Sequence, residues 1–139
     1  MSTEVALQQS EELLARYAKG TAKPEPNRLD LNIDASDLIP AITALRGARW
    51  GYLAALTGVD LGKEANQIEA LYHICEGDAI VTLRKELGRD IPALIVSGDT
   101  RGDACAEVHA AAFRMLAKPV VASVLKAAAE AALAGPTSA

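Results

Sequence analysis

Aromatic side chains are scarce: one Trp, one Phe and three Tyr among 139 residues. The core must therefore be built from Leu, Ile, Val and abundant Ala rather than from packed rings. Cysteine is almost absent as well. Cys75 and Cys105 make no disulfide framework, and reduced cytosolic thiols are the default for such a pair. No cluster of basic residues stands out and the formal net charge is −4, so nucleic acid is not an expected partner. No apolar run approaches the roughly 20 residues that a membrane-spanning helix needs, and no signal-peptide pattern opens the chain. The expectation is a cytoplasmic protein with no direct membrane span. What is present suits a globular fold: 50% of residues are hydrophobic, and a chain of this length buries roughly two-thirds of its surface.

The stretch Trp50 to Leu83, WGYLAALTGVDLGKEANQIEALYHICEGDAIVTL, organises the rest. Its apolar runs Gly51–Val59, Ile68–Ile74 and Ala79–Leu83 are separated by polar, glycine-bearing breaks, the pattern of strands in an antiparallel sheet. Glu76-Gly77-Asp78 is short enough to close a hairpin, with Gly77 supplying positive φ at low cost. Ile68, Ala70, Tyr72 and Ile74 alternate with Gln67, Glu69, Leu71 and His73, so one face of the sheet is covered and the other wetter. Trp50, Leu53, Leu56, Tyr72 and Val81 are expected to be buried on this sheet. Upstream, Thr3 to Lys19 reads as a helix with Val5, Leu7, Leu13, Leu14 and Tyr17 on one side, stopped by Gly20 and then Pro24 and Pro26. Arg28 to Ile33 reads as a one-sided strand. Ser36 or Asp34 can cap a helix that runs to Arg46, with Pro40 near its first turn and Gly47 as its stop. Downstream, Ile91 to Val96 reads as a strand covered on both faces. Asp99 or Thr100 can cap a helix through Ala111. Phe113–Leu116 reads as a short strand, and a last helix after Lys118-Pro119 carries Val121, Val124, Leu125, Ala128 and Leu133 on one stripe, with a frayed tail to Ala139.

Two resemblances cover the chain. The run LRGARWGYLAALTGVDLG, followed by strands ending ALYHI and reading AIVTLR, resembles the C-type subunit of NADH-quinone oxidoreductase and its relatives in membrane-bound hydrogenase complexes. The resemblance extends over residues 1–84. It implies a cofactor-free structural component beside a quinone-site or hydrogenase large subunit, with no flavin, iron–sulfur cluster or catalytic residue of its own. Residues 85–139 resemble the C-terminal half of a response-regulator receiver domain, on IPALIVSGDT and MLAKPV. That family places a hydroxyl residue followed by a small one after its fourth strand, matched by Ser97-Gly98, and a Lys-Pro after its fifth, matched by Lys118-Pro119. The resemblance implies that Ser97 and Lys118 are phosphoryl-contact positions, with Lys118 preceding a cis proline. Ala112 departs from the glycine that usually ends the preceding helix. A receiver also needs a phosphoacceptor aspartate and an acidic pair that hold magnesium. Asp60 ends an apolar run but stands too far from Ser97 for the family, and no early acidic pair exists, so phosphotransfer is read as absent.

Other candidate sites are outweighed by plain structural readings. His73-x-Cys75 and Cys105-x3-His109 offer four metal-ligating side chains, yet neither pair has the usual ligand spacing. No metal is expected. Cys105 has no base placed beside it by the sequence. Asp60 with Glu64, and Glu107 with His109, read as solvated charges rather than acid–base pairs. Gly47, Gly51 and Gly58 match no dinucleotide or phosphate loop, and Gly98-Asp99-Thr100 at a strand end is a weak anion cradle on its own.

The sequence therefore predicts an α+β fold: a mixed, mainly antiparallel sheet with packed helices and a receiver-like βαβα C-terminal part, joined near Leu83-Arg84. The leading function is a non-catalytic accessory subunit or fragment of a NADH-quinone oxidoreductase-like or hydrogenase-like complex, with no cofactor of its own. Its partners are other subunits of a respiratory or hydrogenase complex, which hold it peripherally at the cytoplasmic face of the membrane. A degenerate receiver-like docking module and a fused chain without evolved function are the alternatives. Self-association is expected, because the oxidoreductase-like half lacks its normal continuation and leaves apolar surface uncovered.

Overall fold

The computed structural model describes residues 1–88, 92–99, 101–103, 106–107 and 114–134. The chain forms two compact units, Met1–Arg89 and Asp90–Ala139. The fold is α+β, as the sequence predicts.

The first unit is a five-stranded sheet of order β1-β2-β5-β4-β3. Its strands are β1 (Gly20–Glu25), β2 (Arg28–Asn32), β3 (Tyr52–Asp60), β4 (Gln67–Glu76) and β5 (Ala79–Gly88). All pairings are antiparallel except β2 with β5, which is parallel. The β4–β5 hairpin closes through Gly77 and Asp78, with Glu76 opposite Ala79 and Gly77 at φ 56°. Strand β5 runs on through Arg84 to Gly88, so the point where the two resemblances meet lies inside a continuous strand. Strand β1 is not anticipated by the sequence reading, where Pro24 and Pro26 signal only a break. Proline is tolerated at a sheet margin, and Pro24 sits where the β1–β2 register shifts, between Ala22 and Glu25.

Helix α1 (Thr3–Leu14) ends sooner than the expected Lys19 and buries Ala6, Leu7, Ser10 and Leu14, leaving Val5 exposed. Its N-cap is Ser2, whose hydroxyl accepts from Val5 N. A single 3-10 turn (Ala35–Asp37) leads into α2 (Leu38–Gly47), and neither Asp34 nor Asp37 caps through its side chain. Gly47 is the last helical residue, but the left-handed position falls on Arg49, at φ 54°. Trp50 N then donates to Leu45 O at 2.9 Å, a six-to-one closure that satisfies an end-of-helix carbonyl.

Helix α1 packs on α2, β5 and β2. The core beneath holds Leu29, Leu31, Val81, Leu83 and Ile74 from the sheet, with Leu7, Leu14, Leu38, Ala41 and Leu45 from the helices. Trp50 closes this core at 2% exposure, its Nε1 donating to Ala6 O at 2.9 Å. Val81 is buried as expected and Tyr72 packs against the core in part. Leu53 and Leu56 are not buried: they are 55% and 60% exposed. Both lie on β3, the outermost strand, and among the described residues no helix packs substantially against it.

In the second unit, β6 (Leu94–Ser97) pairs in parallel with β7 (Arg114–Ala117), and α3 (Ala122–Leu133) follows. All four residues of β6 are half-buried rather than covered on both faces. On α3 only Ala128 is buried, while Val121, Val124, Leu125 and Leu133 are exposed. The Ile91 start of the fourth run, the Thr100 cap, Phe113, Ala112 and the tail to Ala139 lie outside the described residues.

Candidate functional site

Three places gather chemistry-bearing groups. The first is the sheet face opposite the helices. The parallel β2–β5 register sets Asp30 beside Thr82 and Asn32 beside Arg84, and β4 brings Glu69 across from Glu86. Asp30, only 3% exposed, accepts from Arg28 Nε at 2.6 Å and Nη2 at 3.0 Å, and from Arg84 Nη1 at 3.0 Å. Arg84 in turn holds Glu69 through Nε at 3.0 Å and Nη2 at 2.9 Å. Burial alone would disfavour these carboxylates, but two guanidinium groups bridging three strands satisfy them. The Asp30 carboxylate raises the Arg28 pKa above its ordinary value by hydrogen bonding. Among the described residues, no buried side-chain polar atom lacks a partner. The array holds strands together.

His73 lies beside the array and spans three strands. Its Nδ1 is 3.0 Å from Thr82 Oγ1 and its Nε2 is 3.3 Å from Thr57 Oγ1. Both ring nitrogens are thus engaged by hydroxyls. Cys75, two residues on, is a half-buried free thiol. Among the described residues, no group of three or more His, Cys, Asp and Glu is placed to hold a metal ion. Cys105 and His109 lie outside the described residues. Asp60 Oδ1 accepts from Gly62 N at 2.8 Å, a turn-closing contact.

The second place is the outer strand and its approach. All nine residues of β3 are exposed. Where β3 begins, a cavity of about 220 Å³ is lined by Ile42, Leu45, Trp50, Leu53 and Ile74, with Arg46 also in its wall. Gly51 makes this corner possible: at φ 65° its amide donates to Glu76 Oε2 at 2.8 Å, and a Cβ there would stand 2.4 Å from Cys75 O.

The third place is in the second unit. The parallel register sets Ser97 beside Ala117, and Lys118 N donates to Ser97 O at 2.8 Å, so Ser97 and Lys118 stand at adjacent strand ends. The Lys118-Pro119 peptide is cis. Ser97 Oγ accepts from Asp99 N at 3.0 Å. The Asp99 carboxylate is gripped by Arg101 at 2.6 Å, and this hydrogen bonding holds its pKa below the ordinary aspartate value. The Gly98-Asp99 segment therefore already carries its own cation.

The sequence reading passes over Arg28, Asp30, Glu69 and Arg84. Arg28 and Asp30 are visible there only as the polar half of an alternation. Arg84 and Asp30 are 54 residues apart, and only the parallel β2–β5 pairing joins them.

No family model matches the chain, and no curated protein matches it. Among solved structures, the chain is similar to one from the membrane-bound sulfane sulfur reductase (MBS), an archaeal respiratory membrane complex. That match has 17% identity and a TM-score of 0.49, and covers 85% of this chain and 71% of that one. It is also similar to the trypsin-resistant fragment (1-134) of Nqo5, at 15% identity and a TM-score of 0.49, covering 87% of this chain and 100% of that one. No residue role is carried over from either.

Proposed function

We propose that this chain is a non-catalytic accessory subunit, or a fragment of one, of a NADH-quinone oxidoreductase-like or hydrogenase-like complex. The observation that supports it is a coincidence of place. Leu45 to Asp60, the best portion of the sequence resemblance, is also the part of the first unit that presents Tyr52, Leu53, Leu56 and Val59 to solvent. Leu53 and Leu56 share one face of the strand, and adjacent exposed apolar side chains of this kind are characteristic of surfaces that another chain covers. In this reading residues 1–84 are the docking body, and partner subunits hold the chain at the cytoplasmic face of the membrane. Among the described residues, no helix is long and apolar enough to cross a membrane. The experiment is reconstitution: a hydrophilic arm lacking its C-type subunit is mixed with this chain and resolved by native mass spectrometry. Stoichiometric incorporation is expected, and Leu53→Lys with Leu56→Lys should abolish it. An arm that stays empty at high excess of the chain sinks the proposal.

A second reading has its own observation, the meeting of Ser97 and Lys118 at adjacent ends of parallel strands. On that reading residues 85–139 are a receiver-like docking module without phosphotransfer. Beryllium fluoride with magnesium should then cause no change in Trp50 fluorescence. A magnesium-dependent change would refute the absence of phosphotransfer.

A further inference from the structure

Among the described residues, strand β3 has hydrogen-bonding partners on one side only, and its other side is nine residues long. Such an edge is a template for another strand. Two features of this edge narrow down which strand fits it.

The first is a bulge. Leu53 pairs with Ile74 and Ala55 with His73, so Ala54 is the extra residue. Leu56 pairs with Tyr72, two residues from Ile74, so Leu53 and Leu56 share a face although they are three apart. The second feature is charge. Arg46 and Arg49 stand at the approach to β3, and neither is ion-paired among the described residues. Asp60, whose carboxylate already has contacts within its own chain, ends the strand, with Lys63 and Glu64 just beyond. The start is basic and the end is weakly acidic.

We propose that β3 pairs antiparallel with β3 of a second copy of this chain about a two-fold axis, Leu53 of each copy lying opposite Leu56 of the other. The two sheets then run together as one, with the helices of both copies on the same side. This register is selected by the bulge. A two-fold centred on Leu56 would set Leu53 opposite Val59, whose β4 partner Glu69 is five residues from Ile74 and so faces the other way. With Leu53 opposite Leu56, Tyr52 lies opposite Thr57 on the same face, and every side chain keeps its side of the sheet. The same arrangement carries Asp60 of each copy to the Arg46–Arg49 end of the other. Asp60 pairs with Ile68, which shares the face of Tyr72 and Ile74, the side on which α2 lies. A parallel arrangement would instead set the two basic starts together. An isologous contact of this kind is self-complementary. The inference goes beyond the accessory-subunit reading and does not depend on it.

The test uses the full chain in sedimentation equilibrium over a wide concentration range. A reversible step from the 14.5 kDa chain to twice that mass is expected. Arg49→Asp (Asp tolerates the left-handed backbone there) and Asp60→Arg should each shift the step to at least tenfold higher concentration. Mixed in equal amounts they should form a heterodimer, because each reversed charge then meets its opposite. Circular dichroism confirms that each variant is folded. Should Asp60→Arg fail to fold, cysteine cross-linking serves instead. A cysteine at Ala55, beside the axis, should couple under mild oxidant well above the background of the native cysteines, and one at Val59 should not. A strictly monomeric wild-type chain, with the edge kept for another subunit, would overturn the proposal. So would single reversals that dimerise like wild type, a mixture that fails to recover, or equal coupling at both cysteine positions.

Discussion

Replacing Arg84 with Met is the most informative perturbation of the first unit. The thioether side chain fills much of the same space but leaves Glu69, 7% exposed, without its ion pair, while Asp30 keeps Arg28. Removing one partner of a fully buried pair costs roughly 3–5 kcal/mol, because the other charge stays behind unpaired. The Arg84 side chain is 35% exposed, so water already reaches the pair and can enter the gap. The expected loss is therefore about 2 kcal/mol. For a unit the size of Met1–Arg89 that lowers the midpoint of thermal unfolding by roughly 8–16 °C. Adding Glu69→Gln should recover about 1 kcal/mol, since the stranded group is then neutral. Urea melts followed by Trp50 fluorescence measure both steps in the unit that carries them. A loss below about 0.5 kcal/mol for Arg84→Met, or a further loss on adding Glu69→Gln, would refute the claim that burial and pairing govern this array.

Leu53→Ala should change unfolding free energy by no more than about 0.5 kcal/mol, whereas Val81→Ala, at a fully buried position, should cost about 2 kcal/mol. Equal effects in urea melts would mean that β3 is covered. Gly77→Ala, with open space around it and φ 56°, should cost about 1 kcal/mol. Gly51→Ala, whose Cβ would strike Cys75 O, should cost distinctly more in the same assay. The Asp99 carboxyl should titrate below the ordinary 3.8 in a carbon-detected NMR experiment, and Arg101→Ala should move it upward. A depressed folded-state value means that the Arg101 contact stabilises above the unfolded-state range and is lost as pH falls through the folded value.

Much of the first unit can be read from local pattern. The β4–β5 hairpin follows from Glu76-Gly77-Asp78 between apolar runs, and α2 from Pro40 near its first turn and Gly47 at its end. Other features are not local. The apolar run over β3 marks a strand, but not that the strand lies outermost with no described helix packed on it. The pattern therefore predicts Leu53 and Leu56 inside, and they lie outside. Pro24 reads as a break because the rule against proline concerns interior strands, and nothing local marks β1 as marginal. Asp30 looks solvated until the parallel β2–β5 pairing brings Arg84 beside it. Ser97 and Lys118 stand at adjacent strand ends, where Lys118 N donates to Ser97 O. What they bind there depends on chemistry that spacing does not carry.

The two margins of the five-stranded sheet are unlike, and this bears on how large an assembly could grow. Strand β1 carries Lys23, Pro24 and Glu25 where its register slips, and a proline without an amide proton, flanked by charges, is a poor template for another strand. Strand β3 has no proline and no charge before Asp60. Strand addition is therefore open on one side and closed on the other. A chain built this way can accept a single neighbour, and once two such chains have joined, both outer margins are β1. Edge pairing then ends in a closed pair, and the exposed strand that would otherwise seed a fibre is used up by the contact that terminates growth.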